Sequence, residues 1–351
     1  MNSFTRIVNR LGGALDNRSV EVLIHEELEK HFAGNKRTVL YVGARYDYGN
    51  RDWGLSFEHY NFYHTLLNMG LMSDYSLIYF DYDRLLHRYG KSTMSNMLRQ
   101  AVYYYRPDII FYFHYLDWVE HVVWKEISDM LHANTIIWLA DDHWRYEQTR
   151  PVWENFNYVV TTHRGGYEKR VEEGFDSVLM SQWGCNHFLY GKMDVPKIYD
   201  MSFVGRFYGE RGEFIDTIRK SGIEVSTFGQ GWDKGTRVYQ SDLIRIYNES
   251  RIALNISAAL KGEKVQVKGR DFEAPGCGCL LLTKDSEEIS NYFETGKEIV
   301  TYEDAEDAAR KAEYYLKHEE QRVRIAQNGF ERVLRDHTME KRILDIFNNI
   351  T

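Results

Sequence analysis

The stretch Lys268-Gly-Arg-Asp-Phe-Glu-Ala-Pro-Gly-Cys-Gly-Cys-Leu-Leu-Leu-Thr283 decides the fold more than any other part of this chain. Its charged residues predict the start of a short helix, its glycines predict a tight turn, and its apolar end predicts a buried strand. Arg270 and Glu273 stand three residues apart and share one face of that helix. The backbone N–H groups of the first turn lack intrahelical partners, so we expect them to face a ligand.

This segment has the chemistry of a nucleotide site. The helix dipole, Lys268 and Arg270 favour the negative charge of a diphosphate. The Glu273 carboxylate has two acceptor oxygens, which suit the two vicinal hydroxyls of a ribose. The alternative is a surface Arg/Glu pair that adds about a few tenths of a kcal/mol to helix stability. The segment alone leaves both interpretations open.

A second basic loop lies upstream of this segment. Ser202-Phe-Val-Gly-Arg-Phe-Tyr-Gly-Glu-Arg-Gly212 begins like the end of a strand, turns at Gly205 and leads into a helical pattern. Glycine lets the backbone approach a ligand closely, and guanidinium groups bind phosphate oxygens in a bidentate manner. Arg206 and Arg211 are therefore predicted to bind phosphate, so that two basic, glycine-marked loops precede two helices.

Two further segments lie between these loops. Val225-Ser-Thr-Phe-Gly-Gln-Gly-Trp232 predicts a strand that ends in a Gly-x-Gly loop, where Gly229 and Trp232 could flank a nucleotide base. Ser250-Arg-Ile-Ala-Leu-Asn-Ile-Ser257 predicts an apolar strand, and its Asn255 could face the same crevice. Gly229, Trp232 and Asn255 therefore join the predicted binding residues.

The order of these segments resembles the nucleotide-binding half of glycosyltransferases of the GT-B fold, and most closely the CgeB-like (spore maturation protein B) group. In that superfamily a Val-Gly-Arg loop with a second basic residue binds the donor diphosphate, which implies Arg206 and Arg211. A Glu before a small-x-Gly turn binds the donor ribose, which implies Glu273. Many relatives carry another Glu where this chain has Gln266, so no charge-based role carries over to that position.

The resemblance covers the two halves of the chain unequally. Residues 322–342 are similar to the closing helices of the group, and the second half of the chain is covered better than the first. Each motif is moderately specific, and their order carries the resemblance. The resemblance also implies a fold that works without a metal ion.

The first half of the chain alternates between predicted strands and helices. Apolar runs at 38–43, 76–81, 108–113, 135–140 and 158–161 predict strands, and helices are predicted over 57–69, 91–105, 118–131, 150–156 and 165–173. Residues 17–33 predict an additional helix before the first strand. The alternation predicts an α/β fold with open, mostly parallel sheets, and with the resemblance we expect two Rossmann-like doubly wound domains that face each other across a cleft.

Four segments are expected along the chain. They are an N-terminal helical extension over 1–36, a Rossmann-like acceptor domain over 37–195, a Rossmann-like nucleotide-sugar domain over 196–330 and a closing helix over 331–351. Gly191 and Pro196 mark a linker within 190–199. A length of 351 residues is typical of two such domains.

Polar clusters follow several predicted strands of the first half. Glycosyl transfer requires that the leaving diphosphate is neutralised and, in most variants, that a base lies near the acceptor. Asp141, Asp142 and His143 are the first candidates for this base, and His114 is the second. The alternatives are carboxylates that cap the following helix and a half-buried histidine whose hydrogen bonds are satisfied.

Two glycine-marked features complete the predicted site. Gly43 ends the first predicted strand and is counted among the binding residues. The loop Gly49-Asn-Arg-Asp-Trp-Gly54, which precedes a helix, is predicted to line the acceptor side. The alternative for this loop is an ordinary exposed connection.

No metal site and no cofactor are predicted. Asp81-Tyr-Asp83 has the Asp-x-Asp spacing with which metal-dependent transferases hold Mg²⁺ or Mn²⁺, but such triplets also occur by chance. Cys185, Cys277 and Cys279 are too few for a disulfide framework and lack a partner pair for a metal. The predicted ligand is instead the donor substrate, a nucleoside-diphosphate sugar.

Composition limits the class of protein. The chain has 44 Lys and Arg against 52 Asp and Glu, a net charge of −8, which argues against a generally basic nucleic-acid binder. The sequence has no apolar run of membrane-spanning length, and its first residues lack a secretory apolar core. We therefore expect a cytoplasmic protein, with its oligomeric state left open.

These observations favour an enzyme that transfers a sugar from a nucleoside-diphosphate sugar, with UDP as the expected nucleotide, to an acceptor. A glycan or protein acceptor is favoured, and a modified nucleic acid is the alternative. Two other functions stay open: a sugar-nucleotide epimerase of the same fold, and a nucleotide-binding coat or regulatory protein without turnover. Turnover in the absence of an acceptor would indicate the epimerase, and binding without turnover the last class.

Overall fold

The computed structural model describes residues 17–32, 36–72, 75–130, 133–232, 235, 237–257 and 265–350. The chain divides into two compact units. The first unit comprises Met1–Gln182 and Ile343–Thr351, and the second comprises Trp183–Arg342. The division between Gln182 and Trp183 precedes the linker that the sequence predicts within 190–199.

The first unit is built on a seven-stranded sheet flanked by helices. Its strands are β1 (Glu29–His31), β2 (Arg37–Gly43), β3 (Tyr75–Asp81), β4 (Ile109–His114), β5 (Asn134–Leu139), β6 (Tyr158–Thr161) and β7 (Val178–Met180). Its helices are α1 (Asn17–Glu27), α2 (His64–Met72), α3 (Tyr82–Tyr89), α4 (Lys91–Tyr105), α5 (His121–Met130), α6 (Asp142–Trp153) and α7 (Arg164–Glu172), and a π-helical turn over His59–Tyr63 precedes α2.

The second unit is built on a five-stranded sheet. Its strands are β8 (Tyr199–Val204), β9 (Val225–Phe228), β10 (Ser250–Asn255), β11 (Leu280–Lys284) and β12 (Val300–Tyr302). Its helices are α8 (Arg211–Lys220), α9 (Gln240–Glu249), α10 (Arg270–Gly276), α11 (Ala305–Lys317) and α12 (Glu319–Asp336), and α13 (Met339–Asn348) begins in this unit and ends in the first.

Strand order reverses once in each sheet. The first sheet has the order β1-β3-β2-β4-β5-β6-β7 and the second has the order β12-β11-β10-β8-β9. All the strand pairs are parallel except the pairing of β1 with β3. The parallel strands on either side of one neighbouring pair follow each other in opposite directions across the sheet; this pair is β2 and β4 in the first sheet and β8 and β10 in the second. Ligands of open parallel sheets bind outside the carboxyl ends of the strands at such switch points. The predicted α/β fold with two mostly parallel sheets is confirmed.

The strands are apolar because helices cover both faces of each sheet. Val39, Leu40, Tyr41 and Val42 of β2 are all 0% exposed, and β4 is buried along its whole length. A strand that is buried on both faces has a continuous apolar sequence, without the alternation of apolar and polar residues seen in a half-buried strand. This is why the sequence predicted the strand positions well.

Three predicted elements differ from the structure. The helix predicted over 17–33 ends at Glu27, and Glu29–His31 pairs antiparallel with β3 as an edge strand. The helix predicted over 150–156 is the end of α6, which begins at Asp142 and contains Pro151. The segment after Asp81, predicted as a polar strand end, continues as α3. The α3 segment is helical because Tyr82 and Leu85, on one of its faces, pack into the core of the first unit.

The end of the chain packs into the first unit. The Phe347 ring lies 5.6 Å from the Tyr75 ring and 6.2 Å from the Phe111 ring, measured between centroids. The last helical residues therefore add to the core beside β3 and β4. Among the described residues, no helix is long and apolar enough to cross a membrane.

Gly329 in α12 gives a test of packing in the second unit. A Cβ atom at this position would lie 2.3 Å from the carbonyl oxygen of Glu298, a backbone atom that cannot rotate away. We expect Gly329→Ala to lower the free energy of unfolding by about 1–3 kcal/mol, although Gly→Ala in a helix normally raises it. The denaturant midpoint of the variant checks this.

The matched control is Gly191→Ala in the same unit. A Cβ atom there meets no atom of the described chain within 4 Å. Its denaturant midpoint should stay close to that of the parent protein. An equal shift for both variants would contradict the steric explanation.

Candidate functional site

The loop after β8 is fixed by the loop after β9. The Gly205 amide donates to the Phe228 carbonyl at 2.9 Å, and the Trp232 indole Nε1–H donates to the Gly205 carbonyl at 2.9 Å. Gly229 has φ +124°, and a Cβ there would lie 2.5 Å from the Gly205 oxygen. Gly229 and Trp232 thus hold the backbone of the basic loop in place, whereas the sequence suggested contact with a base.

Arg206 and Arg211 lie at the carboxyl end of β8, next to the point where strand order reverses. The Arg211 guanidinium donates to the Arg206 carbonyl at 3.1 Å and to the Ile256 carbonyl at 3.0 Å. The Arg206 side chain is exposed, and it makes no hydrogen bond or ion pair with any residue that the structure describes. One guanidinium is therefore locked by the backbone, and the other is available to a ligand.

The first turn of α8 adds backbone donors to this place. The Phe214 amide donates to the Glu210 carbonyl, which makes Phe214 the first residue with a full helical hydrogen bond. Within the described chain, the amides of Gly212 and Glu213 have no acceptor. Unsatisfied amides at a helix N-terminus attract anions, so the loop, α8 and Arg206 together are a candidate anion site.

The start of α10 differs from the prediction. The amide of Asp271 donates to the Lys268 carbonyl, and the amides of Phe272 and Glu273 donate to the Gly269 carbonyl. The expectation that the first-turn N–H groups face a ligand was therefore wrong for these three residues. A tight turn at Lys268 and Gly269 satisfies them internally.

Asp271, which sequence reasoning passed over, organises this turn. Its carboxylate accepts from the Lys268 amide at 2.8 Å, from the Asn255 side-chain amide at 2.7 Å and from the Thr283 hydroxyl at 2.7 Å. Asn255 was expected to face the crevice, but its amide is directed at Asp271. A signal was present in the spacing, because an Asp side chain can accept the backbone amide three residues before it, which here is the amide of Lys268.

Glu273 is buried rather than open. It is 2% exposed, and its Oε1 accepts a hydrogen bond from the Tyr190 hydroxyl at 2.6 Å. The Gln240 side-chain amide donates to the same hydroxyl. Arg270, by contrast, is exposed at the first residue of α10. Desolvation lowers the pKa of Arg270, but Tyr247, Glu273 and Tyr190 lie close enough to raise it overall. The two residues of the predicted shared face are therefore neighbours that differ in exposure.

The first candidates for a catalytic base lie at the start of α6. Asp142 is 1% exposed, and its carboxylate accepts from both terminal nitrogens of Arg170, at 2.6 and 3.1 Å. The Thr161 hydroxyl donates to it at 2.6 Å. These partners occupy both oxygens of Asp142, which gives the residue a structural role in the core of the first unit.

Asp141 and His143 flank this ion pair. Asp141 adopts a left-handed conformation with φ 54° and ψ 34°, which costs energy for a residue other than glycine. The His143 ring lies 6.0 Å from the His163 ring between centroids, and the side chain is half-buried. Both side chains thus lie at the edge of the buried pair rather than within it.

His114 ends β4, beside the reversal point of the first sheet. It is 1% exposed, its Nδ1 lies 3.0 Å from the Tyr112 hydroxyl, and its Nε2 lies 3.5 Å from the Asp117 carboxylate. Burial lowers the pKa of His114 to about 4, an effect that Asp117 opposes and that Arg145 and His121 reinforce. The imidazole is therefore neutral at pH 7, and its lowered pKa makes it a weaker base than an exposed histidine.

Gly43, Asp81 and Asp83 make packing contacts and hydrogen bonds within the first unit. A Cβ at Gly43 would lie 2.6 Å from the ring of Tyr41. Asp81 accepts from Arg45 and Arg84 at 2.7 and 2.6 Å, and Asp83 accepts the amides of Arg45 and Tyr46. In the described part of the chain, no group of His, Cys, Asp and Glu side chains is arranged to hold a metal ion.

A cavity of about 680 Å³ opens in the first unit beside the loop predicted to line the acceptor side. The loop residues are joined there by side chains of α3, and the lining residues are Tyr46, Gly49, Asn50, Arg51, Asp52, Asp83, Arg84, His87 and Arg88. Sequence reasoning missed His87 and Arg88 because it did not predict α3. The signal was the amphipathic run from Tyr82 to Tyr89, which ends at Gly90.

A family model described as glycosyl transferase-like matches residues 211–348, less than half of the chain. The match begins at Arg211 and includes α10. The second unit thus carries a glycosyl transferase-like domain, whereas the assignment to the CgeB-like group remains a prediction. No curated protein matches the chain.

Solved structures with the GT-B fold are similar to nearly the whole chain. Sucrose-phosphate synthase from Thermosynechococcus elongatus has a TM-score of 0.62 at 11% identity, covering 90% of this chain and 99% of its own. Anabaena HepE in complex with UDP and glucose has a TM-score of 0.63 at 10% identity, covering 90% and 100%. A putative UDP-N-acetylglucosamine 2-epimerase from Listeria monocytogenes has a TM-score of 0.56 at 12% identity, covering 89% and 96%. At these identities the likeness establishes the fold.

The buried Asp142–Arg170 pair predicts a stability effect. Removing one partner leaves the other charge buried without compensation, so we expect Asp142→Ala to lower the free energy of unfolding by about 3–5 kcal/mol. Glu168→Ala is the control, because its ion pair with Arg164 on α7 is exposed and contributes at most about 1 kcal/mol. Denaturant unfolding measures both, and an Asp142→Ala variant of unchanged stability would contradict the structural role.

The pKa of His114 predicts a pH dependence. Because burial lowers this pKa to about 4 from the ordinary histidine value of 6.5, the unfolded state binds more protons than the folded state between these values. Stability should therefore fall as the pH decreases from 6.5 towards 4. In His114→Gln the slope of unfolding free energy against pH should be smaller, by at most about 1.4 kcal/mol per pH unit. Equal slopes for the parent protein and His114→Gln would show that the pKa of His114 is the same in the folded and the unfolded state.

Proposed function

We propose that the second unit binds the diphosphate of a nucleotide-sugar donor, most simply a UDP-sugar, and that the protein transfers the sugar to an acceptor. The observation that carries this proposal is the anion site at the carboxyl end of β8. There the uncommitted Arg206 guanidinium adjoins Arg211 and the open amides of α8. The glycosyl transferase-like match over 211–348 and the UDP complex of HepE support this assignment.

Arg206 and Arg211 have distinct roles in this proposal. The backbone carbonyls of Arg206 and Ile256 fix the Arg211 guanidinium, so its charge is preorganised. Arg206 is exposed and binds phosphate oxygens directly. As the sugar leaves, negative charge develops on the diphosphate, and preorganised cations stabilise that charge in the transition state. The two guanidinium groups supply positive charge that a metal ion supplies in metal-dependent transferases, so we propose that no metal is required.

In the same proposal, the Glu273 carboxylate binds the ribose of the nucleotide-sugar donor. Tyr190 donates to Oε1 of this 2% exposed residue, so a ribose hydroxyl that binds Oε1 shares or replaces the Tyr190 contact. Donor binding thus acts on the Tyr190–Glu273 hydrogen bond. Gln266 accepts from the Lys268 ammonium at 2.9 Å and offers a neutral amide on the sugar side.

His114 becomes the preferred catalytic base in the first unit. Asp142 is occupied by Arg170, whereas the neutral imidazole of His114 has Asp117 beside Nε2 and Tyr112 beside Nδ1. Burial lowers the pKa of His114 and Asp117 opposes that effect only in part, so the imidazole acts as a weak base. Asp141 and His143 remain the second choice.

Epimerisation is the alternative function. It is supported by the similarity of this chain to the putative Listeria epimerase, which has the same fold. The two functions differ in their need for an acceptor. Incubation of the protein with UDP-sugars alone tests this: an epimerase converts the donor into its epimer, whereas a transferase leaves it unchanged apart from slow hydrolysis. Binding of UDP with neither outcome, even when acceptors are added, would indicate a binding protein.

The donor site is tested by thermal unfolding and calorimetry with UDP, GDP, CDP, dTDP and ADP, each with and without Mg²⁺. A ligand at 100 times its Kd stabilises by about 2.7 kcal/mol. We expect UDP to bind without Mg²⁺, and Arg206→Gln to weaken its binding by roughly 10- to 150-fold, the effect of losing a charged hydrogen bond. Because Arg206 has no partner in the described structure, the ligand-free melting temperature should not change.

Arg310→Gln is the matched control for this measurement. Arg310 is an exposed arginine of α11 in the same unit, paired with Asp307 at 3.1 Å. Its loss should leave UDP affinity unchanged. Equal affinities of Arg206→Gln and the parent protein would overturn the assignment of the diphosphate to this loop.

A further inference from the structure

The cavity of about 680 Å³ in the first unit, which we call the Arg51 pocket, has the volume of a small-molecule site. It is lined by the loop over 46–52 and by one side of α3. All of its lining residues belong to the first unit. The pocket therefore shares no residue with the proposed diphosphate site beside β8.

The loop that carries Arg51 is held in a defined shape. The Asp47 amide donates to the Gly54 carbonyl at 3.0 Å, and the Ser56 amide donates to the Arg45 carbonyl at 2.9 Å. Tyr48 adopts a left-handed conformation with φ 49°. A Cβ at Gly49 would lie 2.7 Å from the Trp118 ring, so the loop packs closely on the unit. Little ordering is needed when a ligand binds to such a loop.

Two charged groups of the lining are already occupied. Asp83 accepts the backbone amides of Arg45 and Tyr46, both at 2.8 Å. Arg84 donates to Asp81 and to Glu27, with the shortest contact to each at 2.6 Å. These residues build the wall of the pocket and do not need a ligand to satisfy them.

Three basic side chains keep donors available. Arg51 and His87 are exposed and make no hydrogen bond or ion pair through their side chains with any described residue. Arg88 is 44% exposed and contacts Glu27 through one terminal nitrogen, which leaves its other N–H groups available. Guanidinium groups with several open donors suit planar or tetrahedral oxyanions.

The lining also contains acceptors for hydroxyl groups. The Asp52 carboxylate is exposed, and the Asn50 side-chain oxygen accepts the Asp52 amide at 3.0 Å. Tyr48 and Trp53, which are near these residues in the chain but do not line the pocket, are 55% and 40% exposed and pack edge to face with ring centroids 5.7 Å apart.

We propose that the Arg51 pocket is the acceptor site and that it takes a saccharide bearing an oxyanion, a phosphate ester or a carboxylate. Arg51, His87 and Arg88 bind the oxyanion, and Asp52 accepts hydrogen bonds from the sugar hydroxyls. The role as acceptor site rests on the proposed function, whereas binding of an anion to the pocket follows from its lining alone.

The binding test uses calorimetry on the full chain in an Arg206→Gln background, so that the diphosphate site contributes little. The probes are inorganic phosphate, glucose 6-phosphate, glucuronate and glucose. We expect glucose 6-phosphate or glucuronate to bind, and glucose to bind at least roughly tenfold more weakly because it lacks the charge. The tighter of the two anionic sugars identifies the oxyanion.

Arg51→Gln is the test variant and Arg164→Gln is its control. Arg164 is an exposed arginine of the same unit that pairs with Glu168 on α7. Arg51→Gln should weaken binding of the anionic sugar by roughly tenfold or more without changing the melting temperature, and Arg164→Gln should change neither. Binding that is unaltered in both Arg51→Gln and His87→Asn, or no binding of any probe, would overturn the proposal.

A transfer assay with UDP-glucose separates the two proposals. If UDP binds and anionic sugars accept glucose better than neutral ones, with a raised KM in Arg51→Gln, both are supported. If UDP binds but neutral sugars are the better acceptors, the Arg51 proposal fails and the donor site stands. If UDP does not bind while Arg51-dependent binding of glucose 6-phosphate persists, the donor site fails and the anion pocket stands.

Discussion

The reversal of strand order in two parallel sheets is the constraint on which the other features of this protein depend. In the second unit it brings the ends of β8 and β10 together, with Gly205, Arg206 and Asn255 beside them. In the first unit it brings Gly43 and His114 to neighbouring strand ends. A parallel sheet aligns its carboxyl ends on one edge, so the loops that leave this edge converge. The residues that we propose for donor binding and for the catalytic base lie at these edges.

Buried and exposed charges divide between structure and ligand binding. Asp142, Asp271 and Glu273 are each at most 2% exposed, and each accepts hydrogen bonds from side chains of its own unit. A buried carboxylate without such partners would cost several kcal/mol, so these groups are already satisfied. Arg206 and Arg51 are exposed and lack partners in the described structure, and water solvates them until a ligand binds. The positively charged side chains thus carry the proposed recognition in both units.

The sequence indicated much of the fold but less of the candidate site. The strands of the first sheet were predicted because helices bury both of their faces, which leaves continuous apolar runs. The helix over 82–89 was missed because its polar residues resemble a strand end, and with it His87 and Arg88 of the Arg51 pocket. Asn255 and the amides of α10 were expected to face a ligand, but Asp271 and Gly269 satisfy them.

The sequence by itself determined the α/β class, the positions of most strands, and the basic loop of Arg206 and Arg211, because periodicity and glycine placement are local properties. Only the tertiary structure decided which charged groups are already paired. Asp142 meets Arg170 across 28 positions of the chain, and Glu273 meets Tyr190 across 83. Such pairings depend on how helices pack against the sheets, and no local pattern encodes them. The difference between a structural carboxylate and an available guanidinium is therefore a property of the folded chain.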